Sequence, residues 1–105
     1  MNNQLDKEHK ERLLKQIVWD YNIPVEDIKA VLEGTRSSAG HYTREMLFKK
    51  LIESYPWFTI IQLFTPEEIK VLLTKDVVSK LRTPSLRKKY EFIQKRLQEV
   101  IPTSE

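Results

Sequence analysis

The chain has 105 residues, of which 40% are apolar, and its formal net charge is +3. This length fits one domain and leaves no room for two, and the apolar content is that of a globular rather than a disordered protein. The chain contains no cysteine, which excludes disulfides, cysteine-based zinc sites and thiol nucleophiles.

The sequence shows no targeting or membrane-spanning segment. Residues 1–12 are polar and charged, without the apolar core of a signal peptide. The longest apolar stretch is interrupted by Thr59 and Gln62 and is too short to span a bilayer. We therefore expect a cytoplasmic protein without membrane contact, folded as one domain over residues 1–105, with disordered tails at 1–4 and 102–105.

Positive charge is concentrated towards the C-terminal end. Residues 1–74 carry 10 Lys and Arg against 11 Asp and Glu, a net charge of −1. Residues 75–101 carry 8 Lys and Arg against 3 Asp and Glu, a net charge of +5. This asymmetry is the strongest electrostatic feature of the chain.

Apolar spacing predicts two helices at the start of the chain. The first covers about residues 5–18, and its apolar stripe continues to Tyr21. Trp19 falls almost opposite that stripe, so either the helix ends before it or Trp19 meets a second surface. The second helix is predicted over Val25–Glu33, and Gly34 can supply the left-handed residue that ends it.

Residues 35–41 have the composition of a loop. Thr43 is expected to cap a third helix over Arg44–Ser54, whose N-terminus would direct backbone N–H groups outward. Such a loop could hold an anion, although a mobile connector is the commoner role of loops with this composition. The candidate anion-binding residues are Arg36, Ser37 and Ser38.

The segment from residue 57 to 64 is apolar on nearly all sides. We predict a buried central helix here, with Ser54 as its cap and Pro56 as its first helical residue. A buried strand is the alternative, because periodicity does not separate the two in so short a run. Pro56 before the segment and Pro66 after it favour the helix.

Three threonines, Thr65, Thr74 and Thr83, recur at a spacing of nine residues and each precedes a helical run. In Thr65-Pro66-Glu67-Glu68, the threonine and Glu68 have the spacing of a capping box. Thr83 is followed by Pro84, which suits the first turn of a helix. We therefore predict two short helices that lead into a long last helix.

The last helix is predicted over Pro84–Val100, because five apolar residues keep to one face. Those residues are Leu86, Tyr90, Ile93, Leu97 and Ile101. The predicted fold is all-α: a compact single-domain bundle of six or seven short helices with a long, basic C-terminal helix and no confident strand.

The sequence contains no recognisable catalytic, cofactor or metal motif. His9 and His41 lack the partners of a zinc site, and there is no nucleophile elbow, P-loop or dinucleotide-binding glycine pattern. The acidic pairs at 26–27 and 67–68 lie in first helical turns, where the helix dipole explains them. We predict neither an enzyme nor a small-molecule substrate; an active site would require a pocket that gathers Arg36, His41 and a carboxylate.

The last helix carries the sharpest functional hypothesis. Phe92 lies opposite the apolar stripe, and its helical neighbours are basic. An aromatic ring among cations suits a nucleic-acid surface, on which the charges neutralise phosphates and the ring stacks on a base. The alternative, which we weigh more heavily at this point, is that Phe92 packs against the first helix while the lysine stems cover apolar surface. The candidate cations are Arg82, Arg87, Lys88, Lys89, Lys95 and Arg96.

Several short motifs together resemble a family of small, uncharacterised helical proteins of bacteria. They are Trp19-Asp20, Leu32-Glu33-Gly34, Leu63-Phe64-Thr65-Pro66-Glu67-Glu68, Leu72-Leu73-Thr74, Val77-Val78, Lys80-Leu81-Arg82, Ser85-Leu86-Arg87 and Tyr90. Members of that family occur beside abortive-infection-type nucleotidyltransferase toxins. The resemblance covers about residues 17–97 and carries over no catalytic residue. It implies a bacterial cytoplasmic protein with an antitoxin-like role.

Two functional hypotheses follow from the sequence. The first is a non-enzymatic interaction module that binds a protein partner or forms a homodimer, because Trp19, Phe92 and Trp57 lie off the main apolar stripes. The second is a nucleic-acid-binding protein that uses the basic face around Phe92.

Overall fold

A computed structural model describes residues 6–18 and 22–101 of the chain. Over these ranges it forms seven helices and one two-stranded hairpin, which confirms the all-α prediction. The helices are α1 (Lys7–Gln16), α2 (Val25–Glu33), α3 (Arg44–Ser54), α4 (Trp57–Leu63), α5 (Pro66–Leu72), α6 (Lys75–Ser79) and α7 (Pro84–Val100), and the strands are β1 (Ser38–Ala39) and β2 (Tyr42–Thr43). The predicted tails at 1–4 and 102–105, Trp19 and Tyr21 lie outside the described residues.

Side-chain caps fix where most of these helices begin. Thr43, Thr74 and Thr83 each accept a hydrogen bond from the backbone N–H three residues later. Thr65 does the same and also donates its own backbone N–H to Glu68 Oε1 at 2.8 Å, which completes the predicted capping box. Helices as short as α5 and α6 are not stable on intrinsic propensity alone, so these caps and tertiary packing together hold them.

The ends of two helices differ from the prediction. The first helix begins at Lys7 after an Asp6 cap and ends at Gln16 rather than at residue 18. Pro56 occupies the N-cap position of α4 rather than its first turn, and Ser54 is the last residue of α3. In the second case Pro56 has extended backbone angles, which a proline that lacks a donor N–H adopts readily just before a helix.

The loop predicted at 35–41 is shorter than expected, because it closes into a hairpin. Ser38 pairs with Thr43, and Ala39 pairs with Tyr42 in antiparallel register. Gly40 has a φ of 59° at the turn, a value that glycine adopts without steric cost. Ala39 and Tyr42 are buried, so the hairpin closes one end of the core.

One apolar core receives side chains from every helix. Within it α7 packs mainly against α5 and α6. Gln94 Nε2 donates to the carbonyl of Leu73 at 2.8 Å, which joins the middle of α7 to the end of α5. The Trp57 ring of α4 meets the Tyr90 ring of α7 edge to face, with 6.1 Å between centroids. These contacts fix both the position and the rotation of the last helix.

The largely buried carboxylate of Glu53 links α3 to the segment that precedes α7. The Glu53 side chain is 9% exposed, and its Oε2 accepts the backbone N–H of Arg82 at 2.8 Å. Lys49 Nζ also lies within 3.1 Å of that oxygen. We infer that Glu53 sets the path of the chain into the last helix.

We expect Glu53→Ala to lower the free energy of unfolding by about 1–3 kcal/mol, because it leaves a backbone donor and an ammonium without their acceptor. Glu99→Ala is the matched control, since Glu99 forms an exposed pair with Arg96 and should contribute about 0–0.5 kcal/mol. Chemical denaturation of both variants gives the two values. Equal effects would contradict the role assigned to Glu53.

Candidate binding surfaces

The rotation of α7 decides which of its residues face solvent. Tyr90 is 1% exposed and Leu97 is also buried. Residues two positions apart on an α-helix point about 200° away from each other. Phe92 therefore faces away from the core, and its side chain is 65% exposed. The prediction that Phe92 packs against the first helix is wrong, because α7 lies against α5 and α6 and turns Phe92 outward.

Basic residues surround this ring. We use the term α7 outer face for Lys88, Lys89, Phe92, Lys95 and Arg96, all of which are exposed. Among the described residues, the side chains of Lys88 and Lys95 form no ion pair and no hydrogen bond. Lys89 Nζ lies 5.9 Å from the centroid of the Tyr90 ring, and Arg96 pairs with Glu99 at 3.0 Å. Lys88 and Lys95 are thus the two cations of this face whose side chains have no partner among the described residues.

The other two predicted cations have structural contacts. Arg87 is half-buried, and its Nη1 donates to the carbonyl of Leu81 at 2.6 Å. Arg82 has an exposed side chain whose Nη2 lies 3.8 Å from Glu53. The structure therefore gathers four of the six predicted cations around Phe92 and assigns Arg87 to the turn that precedes α7.

In the predicted anion-binding loop, the Arg36 side chain already has partners within the protein. Arg36 Nη1 lies 3.3 Å from Asp27 Oδ1, and Arg36 Nε donates to the carbonyl of Ser38 at 2.7 Å. The loop and the end of α2 are thereby tied together. Ser37 is exposed, but the loop presents no unpaired positive charge beside it.

The two described histidines lie on different elements, and neither lines the groove between α5 and the pair α1–α2 or the smaller pocket beside Arg82. His9 is exposed on α1, where its backbone N–H donates to the Asp6 cap. The His41 ring stacks on Tyr42 at the hairpin, with 4.2 Å between centroids. Among the described residues no cluster of three or more His, Cys, Asp or Glu could hold a metal ion.

A groove of about 350 Å³ that the sequence analysis did not foresee opens between α5 and the pair α1–α2. Its apolar floor is formed by Leu14, Leu32, Phe64, Val71 and Leu72. Its charged rim is formed by Lys10, Lys29, Glu33, Arg44, Glu67 and Glu68. These residues come from separate parts of the chain, and no local motif could have joined them.

A second unforeseen feature lies on α4, where Phe58 and Ile61 are 68% and 40% exposed. The helix is therefore not buried on all sides, as the sequence had suggested, although it is a helix and not a strand. Ile60 and Leu63 face the core, and the opposite side carries Phe58, Ile61 and Gln62. Gln62 lies on the same side as Phe58, one helical turn later, and its polar side chain was the one sequence signal for an outward face.

None of the described helices is both long enough and apolar enough to cross a membrane. Comparison with protein-family models, with curated proteins and with solved structures finds no match to this chain. The resemblance to the family of small, uncharacterised helical proteins of bacteria therefore remains a prediction.

Burial raises the pKa of Tyr90 to about 12 and also raises the pKa of Tyr55. An unfolded tyrosine ionises near pH 10. Between about pH 10 and about pH 12 the unfolded state therefore loses protons that the folded state keeps, and the free energy of unfolding falls as the pH rises.

We expect Tyr90→Phe to unfold with a weaker pH dependence than the wild type over this interval, with Tyr55 supplying part of the remaining slope. Guanidinium denaturation in steps from about pH 8 to about pH 11.5 measures both slopes. Parallel curves for the two proteins would show that Tyr90 ionises as freely in the folded state as in the unfolded chain.

Proposed function

We propose that the protein is a cytoplasmic, non-enzymatic binding module and that its α7 outer face binds single-stranded nucleic acid. The observation that carries this proposal is the exposure of Phe92 at the centre of four basic residues. A buried phenylalanine would contribute about 1.5–3 kcal/mol to folding. Because the Phe92 ring is exposed to solvent, it contributes only a small part of that stabilisation to folding.

The geometry of the face suits a base flanked by two phosphates. Lys88 and Lys95 lie about 10 Å apart along the helix axis, with Phe92 between them. Their ammonium groups can neutralise phosphates, while the ring stacks on a base between those phosphates. Stacking on a ring requires an unpaired base, and this requirement favours a single strand over a duplex.

We expect a fluorescently labelled single-stranded oligonucleotide of about 12 nucleotides to bind at low salt and to dissociate as salt is added. Phe92→Ala should weaken this binding by about 5- to 150-fold, because stacking supplies about 1–3 kcal/mol per base. Phe58→Ala is the matched control, since Phe58 is as exposed as Phe92 but lies outside the basic face. Fluorescence anisotropy measures each affinity.

The same assay tests the role of the cations. The double change Lys88→Gln and Lys95→Gln should reduce the slope of log affinity against log salt by about 1.4, or about 0.7 for each lost phosphate contact. Lys75→Gln removes an exposed charge from a different helix, α6, and should change the slope little. The proposal fails if no oligonucleotide binds at low salt, or if Phe58→Ala weakens binding as much as Phe92→Ala.

A specific observation also favours a second candidate function, association with a protein partner or with a second copy of the chain. Phe58 and Ile61 lie one helical turn apart and form an exposed apolar pair on α4. Exposed apolar patches of this kind are typical of protein interfaces. The antitoxin-like role implied by the family resemblance would use such a surface.

If α4 mediates self-association, the wild-type mass should rise from monomer towards dimer at high micromolar concentration, and Phe58→Lys should stay monomeric. Phe92→Lys is the control, because it makes the same change on a different helix and should still dimerise. Size-exclusion chromatography with light scattering gives the masses. A wild-type monomer at every concentration rules out self-association through α4.

A further inference from the structure

We propose that the groove between α5 and the pair α1–α2 binds one amphipathic helix of a partner protein. This helix would carry an apolar stripe, basic residues along one flank and acidic residues along the other. The proposal does not depend on the α7 outer face, because no residue of that face lines the groove.

The groove exists because its two walls belong to different parts of the bundle. Helix α1 packs mainly against α2, whereas α5 packs mainly against α3 and α7. Leu14 and Phe64 are buried at the bottom of the space that remains between the walls. Val71 stands on the α5 wall with 58% of its surface exposed. The α5 wall therefore presents an apolar group that the described chain leaves more than half uncovered.

The two walls carry opposite charges. On the α5 wall the rim residues are Glu67 and Glu68, both acidic. The cations Lys10, Lys29 and Arg44 come from α1, α2 and the start of α3. Glu33, at the end of α2, is the one acidic residue from that side.

Among the described residues, no ion pair crosses the groove. Lys29 pairs on its own side with Glu11 at 3.1 Å, and Lys10 Nζ lies 5.5 Å from the centroid of the Phe64 ring. The Arg44 guanidinium rests against Gly34, where a Cβ would lie 3.2 Å from Nη1. The opposite charges thus face each other across open space.

The opposite charges of the two walls restrict which ligand can bind in the groove. A ligand with one sign of charge would be attracted by one wall and repelled by the other. The groove is partly open to solvent, and its volume suits a few side chains at helical spacing. A helix with an apolar stripe covers Val71 and brings a complementary flank to each wall in one chain direction only, because reversing the helix exchanges its flanks.

Three synthetic peptides test the proposal. All are helical, labelled and about 14 residues long, with leucines at i, i+3, i+7 and i+10. One has a lysine flank and a glutamate flank, the second has lysine on both flanks, and the third has glutamate on both. We expect the mixed peptide to bind the wild-type protein most tightly, as measured by fluorescence anisotropy.

Val71→Lys should weaken binding of the mixed peptide at least about tenfold, by placing a charge on the apolar floor. Val100→Lys is the matched control, because Val100 is 60% exposed on α7 and lies outside the groove. Since Val71 is exposed, its replacement should not unfold the chain, and a thermal melt verifies this. Glu67→Lys should shift the preference of the protein towards the peptide with two glutamate flanks.

The proposal is overturned if no peptide binds, if Val71→Lys binds like Val100→Lys, or if a peptide with one sign of charge binds as tightly as the mixed one. The Lys88→Gln and Lys95→Gln variant should retain peptide binding. This variant separates the groove from the nucleic-acid surface. If it loses oligonucleotide binding and retains peptide binding, the two ligands use two sites. If it loses both, the peptide does not bind in the groove as proposed.

Discussion

The burial of Tyr90 determines the surface that α7 offers to solvent. This helix has 17 residues, of which only Tyr90 and Leu97 are buried. The Tyr90 ring is held in the core by its edge-to-face contact with Trp57. Once that ring is inside, helical geometry turns Phe92 and its basic neighbours outward. A contact in the core thereby fixes the composition of a binding surface on the opposite side of the same helix.

The core is complete without the exposed apolar side chains Phe58, Val71 and Phe92 on which the proposed sites depend. Every residue buried in the described chain is apolar or aromatic, and no buried side-chain nitrogen or oxygen there lacks a hydrogen-bond partner. Phe58, Val71 and Phe92 contribute little to that core. A single exposed apolar residue is common on proteins, but each of these lies beside a further feature: Phe92 among cations, Val71 between charged walls, and Phe58 next to Ile61.

The features of the fold that depend on local interactions could be predicted from the sequence. The threonine caps were readable because a cap and the backbone N–H from which it accepts lie within three residues of each other, and the extent of α7 was readable from its apolar spacing. The hairpin was missed, since strands of two residues have no periodicity and depend on the burial of Ala39 and Tyr42. The groove was missed because its walls meet only in the folded bundle. Helical spacing placed Phe92 opposite Tyr90, but spacing alone did not show whether another helix covered it.

The distribution of charge keeps the two proposed ligands apart. The α7 outer face is predominantly of one sign and lies in a segment with a net charge of +5, so its field attracts a polyanion over a distance of about one Debye length, 8–10 Å in physiological salt. The acidic α5 wall of the groove repels the same polyanion. Within the groove the electric fields of the oppositely charged walls largely cancel at long range. The walls therefore act only on a ligand that is already in contact with them. We therefore expect nucleic acid to bind at α7 and the groove to remain accessible to a helix that matches both walls.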